Sequence, residues 1–178
     1  MIMADPENSI IIRAYEHADH NHVIDLFIRI NRELAPADMR ERFEVYISAS
    51  ISGELSQLHD IFSETRRNAF WVVETRGRII GMFGIESRGD EATELRRMYL
   101  DRHFRGKGIA QRMLQRAEMR ARELGFSKLI LSTAEVQGAA IAFYRKSGYT
   151  LVRSELANSM STKTVGGGLT RFHFEKLL

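Results

Sequence analysis

Residues 93–124 run from a strand through a glycine-bearing turn into a long amphipathic helix, and this succession most limits what the chain can fold into. After the strand at 93–100, Ile109, Met113, Leu114, Ala117, Ala121 and Leu124 recur at three- and four-residue spacing, which puts them on one face of a helix over 106–124. Gly125 stands where a left-handed cap belongs. A helix with one apolar stripe directly after a strand calls for a sheet to bury it.

The flanking pattern supplies that sheet. Residues 9–15 carry the β-branched run Ile10-Ile11-Ile12 and read as the first strand. Val23, Leu26, Phe27 and Ile30 predict a helix over 19–34, ended at Ala35-Pro36. The same period continues from 38 to 63, with Gly53 as a break into two helices. Residues 70–75 and 79–86 form a hairpin across Arg76-Gly77-Arg78. Beyond the central helix come a strand at 128–134, a helix at 139–146, and strands at 149–154 and 169–176. The polar stretch 155–168, ending in three glycines, predicts a mobile loop. Trp71 is expected to pack in the sheet. The whole reads as one mixed α/β domain spanning residues 1–178, with residues 1–8 flexible.

Composition removes several classes of function. Without cysteine there is no disulfide scaffold, thiolate metal site or catalytic thiol. No eighteen apolar residues run together and no leader pattern opens the chain, so a soluble, cytoplasmic protein is expected, with no membrane partner. The net charge of +3 hides an uneven distribution: between Arg96 and Arg122 lie nine basic side chains and two acidic ones. Such a segment in an acidic frame suits a compact polyanion, or is simply a solvated helix face. Nucleic acid is disfavoured, because the basic residues are not interleaved with aromatics and no nucleic-acid motif is present. His17, Asp19, His20 and His22 crowd one turn but lack ligand spacing, so no metal is expected.

The turn Arg105-Gly106-Lys107-Gly108-Ile109-Ala110 aims free backbone N–H groups and a helix dipole at one spot, the make-up of an anion site. It has neither phosphate-loop nor dinucleotide spacing, and the alternative is a pair of glycines that only joins strand to helix. Strand alternation puts Glu94, Arg96 and Met98 on one face.

With these residues in place, R-x-x-G-x-A after a strand resembles the acetyl-coenzyme A loop of the GNAT superfamily of N-acetyltransferases. The strand Glu94-Leu95-Arg96-Arg97-Met98-Tyr99-Leu100 is similar to that family's fourth strand. Ala139-Ala140-Ile141-Ala142-Phe143-Tyr144-Arg145-Lys146-Ser147-Gly148-Tyr149 is similar to its A-x-x-F-Y-x-x-x-G-[FY] helix. The resemblance implies a mostly antiparallel, twisted sheet of about seven strands, flanked by about four helices, with splayed strands at the coenzyme. It implies acetyl-coenzyme A as co-substrate, with pyrophosphate on the amides of Arg105 to Ala110 and the pantetheine arm along Met98, Tyr99 and Leu100. Ala140 and Phe143 line the same site, and Gln137 stands where many members carry asparagine.

By the same resemblance Tyr144 is the general acid for the departing thiolate, a role its phenol, protonated at neutral pH, can fill; the alternative is packing beside Phe143. Glu94 is a candidate general base, with an ion pair to Arg96 as the alternative, and Glu86 is a second candidate. Arg96, together with Arg97, favours an acceptor that carries a carboxylate. The acceptor is expected to be a small amine or amino-acid-like metabolite, with a protein N-terminus or lysine as the alternative. From other classes, a coenzyme A sensor and a basic binding module stay open, and the resemblance allows a homodimer.

Overall fold

The computed structural model describes residues 10–178; the segment expected to be flexible, 1–8, and Ser9 of the predicted first strand lie outside the described residues. The elements are β1 (Ile10–Ala14), α1 (His20–Leu34), α2 (Arg40–Ser52), the single-turn α3 (Leu58–Ile61), β2 (Ala69–Thr75), β3 (Arg78–Ser87), β4 (Ala92–Leu100), α4 (Ile109–Glu123), β5 (Lys128–Ala134), α5 (Gly138–Lys146), β6 (Thr150–Ala157) and β7 (Leu169–Leu177). Seven strands form one sheet in the order β1-β2-β3-β4-β5-β7-β6. Every neighbouring pair is antiparallel except β4 with β5.

Each face of the sheet carries its own core. On one, Ile109, Met113, Leu114, Ala117 and Ala121 of α4 and Tyr144 of α5 pack against Trp71, Phe83, Ile85, Leu95 and Leu129. The stripe that predicted α4 is thus the stripe that α4 buries. Trp71 stacks on Phe83 with ring centroids 4.9 Å apart. On the other face Val23, Leu26, Phe27 and Ile30 of α1 meet Phe43 and Ile47 of α2, together with Val72 and Met82. Among the described residues, no helix is long and apolar enough to cross a membrane.

Three boundaries differ from the sequence expectation. The break expected at Gly53 is present, its N–H bonding to the Ala49 carbonyl at 3.0 Å, but the second helix expected up to residue 63 is reduced to short turns. The central helix starts at Ile109 and not at Gly106, because Gly106 and Gly108 both hold φ +76°, a left-handed conformation that cannot continue into a right-handed helix. The stretch predicted to be a mobile loop divides: β6 runs on to Ala157, and Thr164 and Val165 are buried, Val165 within the α1/α2 core.

Candidate acetyl-transfer site

The site grows from one topological fact. Parallel pairing between β4 and β5 consists of Ala92 with Lys128, Thr93 with Leu129 and Glu94 with Ile130, and then ends. Beyond Glu94 the strands part, so the second half of β4 has no ladder partner on that side and its backbone groups stay available. The V-shaped gap opens into two connected spaces. The inner cavity is lined by Glu94, Met98, Gln137, Tyr144, Lys163 and Arg171 among others. The outer groove, about 340 Å³, runs between Met98, Tyr99 and Leu100 on one wall and Ala140, Phe143 and Tyr144 on the other, and ends at Arg105, Gly106 and Ala110.

A bulge in β4 decides what faces each space. Met82 of β3 pairs with Tyr99, but Gly84 pairs with Arg96, so two residues of β4 stand opposite Phe83 alone. Arg97 takes up the extra residue at φ +52°, a conformation that costs a side chain about 1–2 kcal/mol. It is held there by Tyr46, whose hydroxyl accepts from its guanidinium at 2.9 Å, and by Glu54 at 3.0 Å. The bulge corrects the strict alternation read from the sequence. Glu94 and Arg96 do not share a face with Met98: Met98 packs with the α4/α5 core, whereas Arg96 pairs with Glu54 in the turn that follows α2.

On the α5 side Tyr144 is buried, and its hydroxyl donates to the Met98 sulfur at 3.6 Å. Burial, with the neighbouring Tyr99, pushes its phenol well above the ordinary tyrosine value, so it stays protonated. Tyr99, edge-on to Phe27 at 5.8 Å, is pushed up to about 12, chiefly by burial. At the outer end, the first α4 amide to bond back is that of Arg112, onto the Gly108 carbonyl at 3.1 Å. The amides before it are the orphans of a helix start, gathered where anions bind. Arg105 donates from Nε to the Leu100 carbonyl at 3.1 Å. Lys107 lies over the Phe104 ring at 5.8 Å, and Ile109 turns into the core.

The acidic candidates are paired. Glu94, 3% exposed, accepts from Arg88 at 2.6 Å and from Lys163 at 2.7 Å. Burial alone would raise its pKa, but Lys163 and then Arg88 outweigh burial and hold the carboxyl below its ordinary value. Glu86 accepts from Arg96 at 2.7 Å and Arg88 at 2.9 Å, in a depression beside the cavity. Arg96 therefore has two carboxylate partners inside the protein, Glu54 and Glu86. Gln137 accepts from the Thr133 hydroxyl at 2.7 Å, at the mouth between the two spaces. Tyr46, Glu54, Lys163 and Arg171 complete the site and carry no motif; they come from two distant parts of the chain, 46–54 and 163–171.

A sequence model of the "Acetyltransferase (GNAT) family" matches residues 31–149. The chain belongs to the GNAT acetyltransferase family. That match covers the splayed strands, the turn and the helix bearing Tyr144. GNAT relatives include N-acetylaspartate synthetase of Danio rerio, 32% identical over 108 residues, which are 60% of this chain and 38% of that protein. Another is the uncharacterized N-acetyltransferase YjgM of Escherichia coli, 37% identical over 98 residues, 53% of this chain and 58% of that protein. The chain therefore spans well under two thirds of these relatives. Among solved structures, the PaiA N-acetyltransferase of Thermoplasma acidophilum in complex with coenzyme A superposes with a TM-score of 0.73 at 20% identity, over 96% of this chain and 99% of that one. An acetyltransferase of the GNAT family from Staphylococcus aureus reaches 0.72 at 16% identity, over 94% and 98%. The seven-stranded open sheet is thus the GNAT fold.

Proposed function

We propose that the chain transfers acetyl from acetyl-coenzyme A to the primary amine of a small acceptor, directly and without an acetyl-enzyme. The observation that carries the reading is that one continuous gap, opened where β4 leaves β5, joins an amide-rich helix start to a buried phenol and a buried carboxylate. The groove suits a long arm ending in a pyrophosphate: orphan amides at its mouth, unpaired β4 backbone along it, apolar Ala140 and Phe143 opposite. With no cysteine in the chain, attack by the amine on the thioester carbon is the direct route.

In that step the C–N bond forms as the C–S bond breaks, the Tyr144 hydroxyl gives its proton to the departing thiolate, and the nitrogen loses one proton. Glu94, kept ionised by Lys163 and Arg88, is a weak base for an ammonium; it favours a positively charged group beside it and leaves deprotonation to solvent. A small acceptor is favoured over a folded protein because Thr162 and Lys163 stand on the wall of the inner cavity, with Lys163 bonded to Glu94. The likeness to N-acetylaspartate synthetase supports an amino-acid-like acceptor.

The test is release of free coenzyme A, followed with a thiol reagent, over amino acids, polyamines, aminoglycosides, arylamines and short peptides. Release with one acceptor class supports the reading and names the substrate family. Silence across the panel, with no acetyl-coenzyme A binding by calorimetry, overturns it.

A further inference from the structure

Among the described residues, Arg171 is a cation of the inner cavity with no ion pair; Glu94 and Glu155 act on it only from beyond salt-bridge distance. It sits on β7, paired with Ala134 of β5 and Glu155 of β6, and is 7% exposed. Its guanidinium donates to the Lys163 carbonyl and the Ser132 hydroxyl, both neutral acceptors. The other cations on the cavity wall have carboxylates: Arg96 has Glu54 and Glu86, Arg97 has Glu54, and Lys163 has Glu94. Arg171 has none within ion-pair distance among the described residues. Glu155, beside it in the sheet, is turned to Arg153 at 2.8 Å and His173 at 2.7 Å.

The wider cluster has the same imbalance. In and beside the cavity Arg88, Arg96, Arg97 and Lys163 share Glu54, Glu86 and Glu94, and Arg171 adds a fifth cation that pairs with none of them, so five positive charges stand against three negative ones. A buried cation is costly unless an anion faces it. Two of the five guanidinium N–H groups of Arg171 are used by the protein, which leaves enough for a two-pronged grip on a carboxylate. Burial weakens its hold on the proton without discharging it at neutral pH.

We propose that Arg171 binds a carboxylate of the acceptor, so that the substrate is an amino acid or a related acidic amine and Arg171 sets this preference. The inference rests on the acetyl-transfer reading above and deepens it. Arg96 and Arg97, the arginines that the sequence favoured for this task, serve instead to hold the β4 bulge and the turn after α2.

The test compares L-alanine, L-aspartate and L-glutamate with L-alaninamide and ethylamine as acceptors, each rate corrected for the fraction of free amine. The expected result is a kcat/KM about 10²-fold higher for the acids than for the amide and the simple amine. Arg171→Gln is expected to raise KM for the acids and erase the preference, so that acid and amide are used alike, and Arg171→Lys should restore part of it. Equal use of acid and amide by the unaltered enzyme, or a preference that survives in Arg171→Gln, overturns the inference and leaves the acetyltransferase reading standing. If no amine is acetylated, that reading fails and takes this one with it. The acid-against-amide comparison needs no variant, so it decides the matter even if Arg171→Gln does not fold.

Discussion

The hydroxyl of Tyr144 points at the sulfur of Met98, 3.6 Å away, across the gap where β4 and β5 part. A thioether is a weak acceptor, so a phenol bonded only to it keeps a proton ready for a better base arriving between the strands. Tyr144→Phe should therefore lower kcat by about 10²-fold while acetyl-coenzyme A affinity changes less than about threefold. Stopped-flow turnover and calorimetry on the same preparations check this. An unaltered kcat would remove Tyr144 from the chemistry.

The pH dependence of turnover should belong to the acceptor. Lys163 and Arg88 keep the Glu94 carboxyl below its ordinary value, so it is ionised throughout the neutral range, and Tyr144 is protonated there. The rising limb of kcat/KM should then follow the amine, moving by about one pH unit for each unit of difference in acceptor pKa. A limb that stays fixed while the acceptor is changed would assign a base to the protein.

At the mouth of the groove, Gly108→Ala places a side chain at φ +76°, where a Cβ meets no neighbouring atom. The penalty is conformational, about 1–2 kcal/mol, and falls on the turn proposed to hold the coenzyme. We expect a folded protein whose KM for acetyl-coenzyme A is raised about tenfold, with the acceptor KM little altered. Steady-state kinetics in both substrates distinguish this from general loss of structure.

Asp101 is expected to contribute to acid stability. Fully buried, it takes ion pairs from Arg29 and Arg78 at 3.0 Å each and the His103 N–H at 3.0 Å. Burial pushes its carboxyl up, but the His103 amide, Arg29 and Arg78 together push it further down, so its folded pKa is below the unfolded one. The stabilisation is complete above the ordinary aspartate value of about 4 and is lost as pH falls through the lower folded value. Thermal melts from pH 7 to pH 2 should show this loss, and Asp101→Asn should flatten that limb after lowering stability at pH 7 by about 1–3 kcal/mol.

Local pattern by itself determined the order of strands and helices, the stripe that α4 buries and the glycine turn before it, because side-chain periodicity and φ preference act within a few residues. The motif around Tyr144 and the resemblance it carries were readable for the same reason. Tertiary structure alone decided the rest. The bulge at Arg97 turns Met98 away from Glu94 and Arg96, since an extra residue opposite Phe83 breaks an alternation that one strand's sequence cannot reveal. Arg96 and Arg97 meet Glu54 more than forty positions away, and Glu94 meets Lys163 sixty-nine positions away. Arg171 resembles any charge on an alternating strand until β7 is inserted between β5 and β6 and its guanidinium is buried with no ion-pair partner among the described residues. Charge pairing in a buried cleft depends on which distant strands become neighbours, and that is a property of the folded sheet.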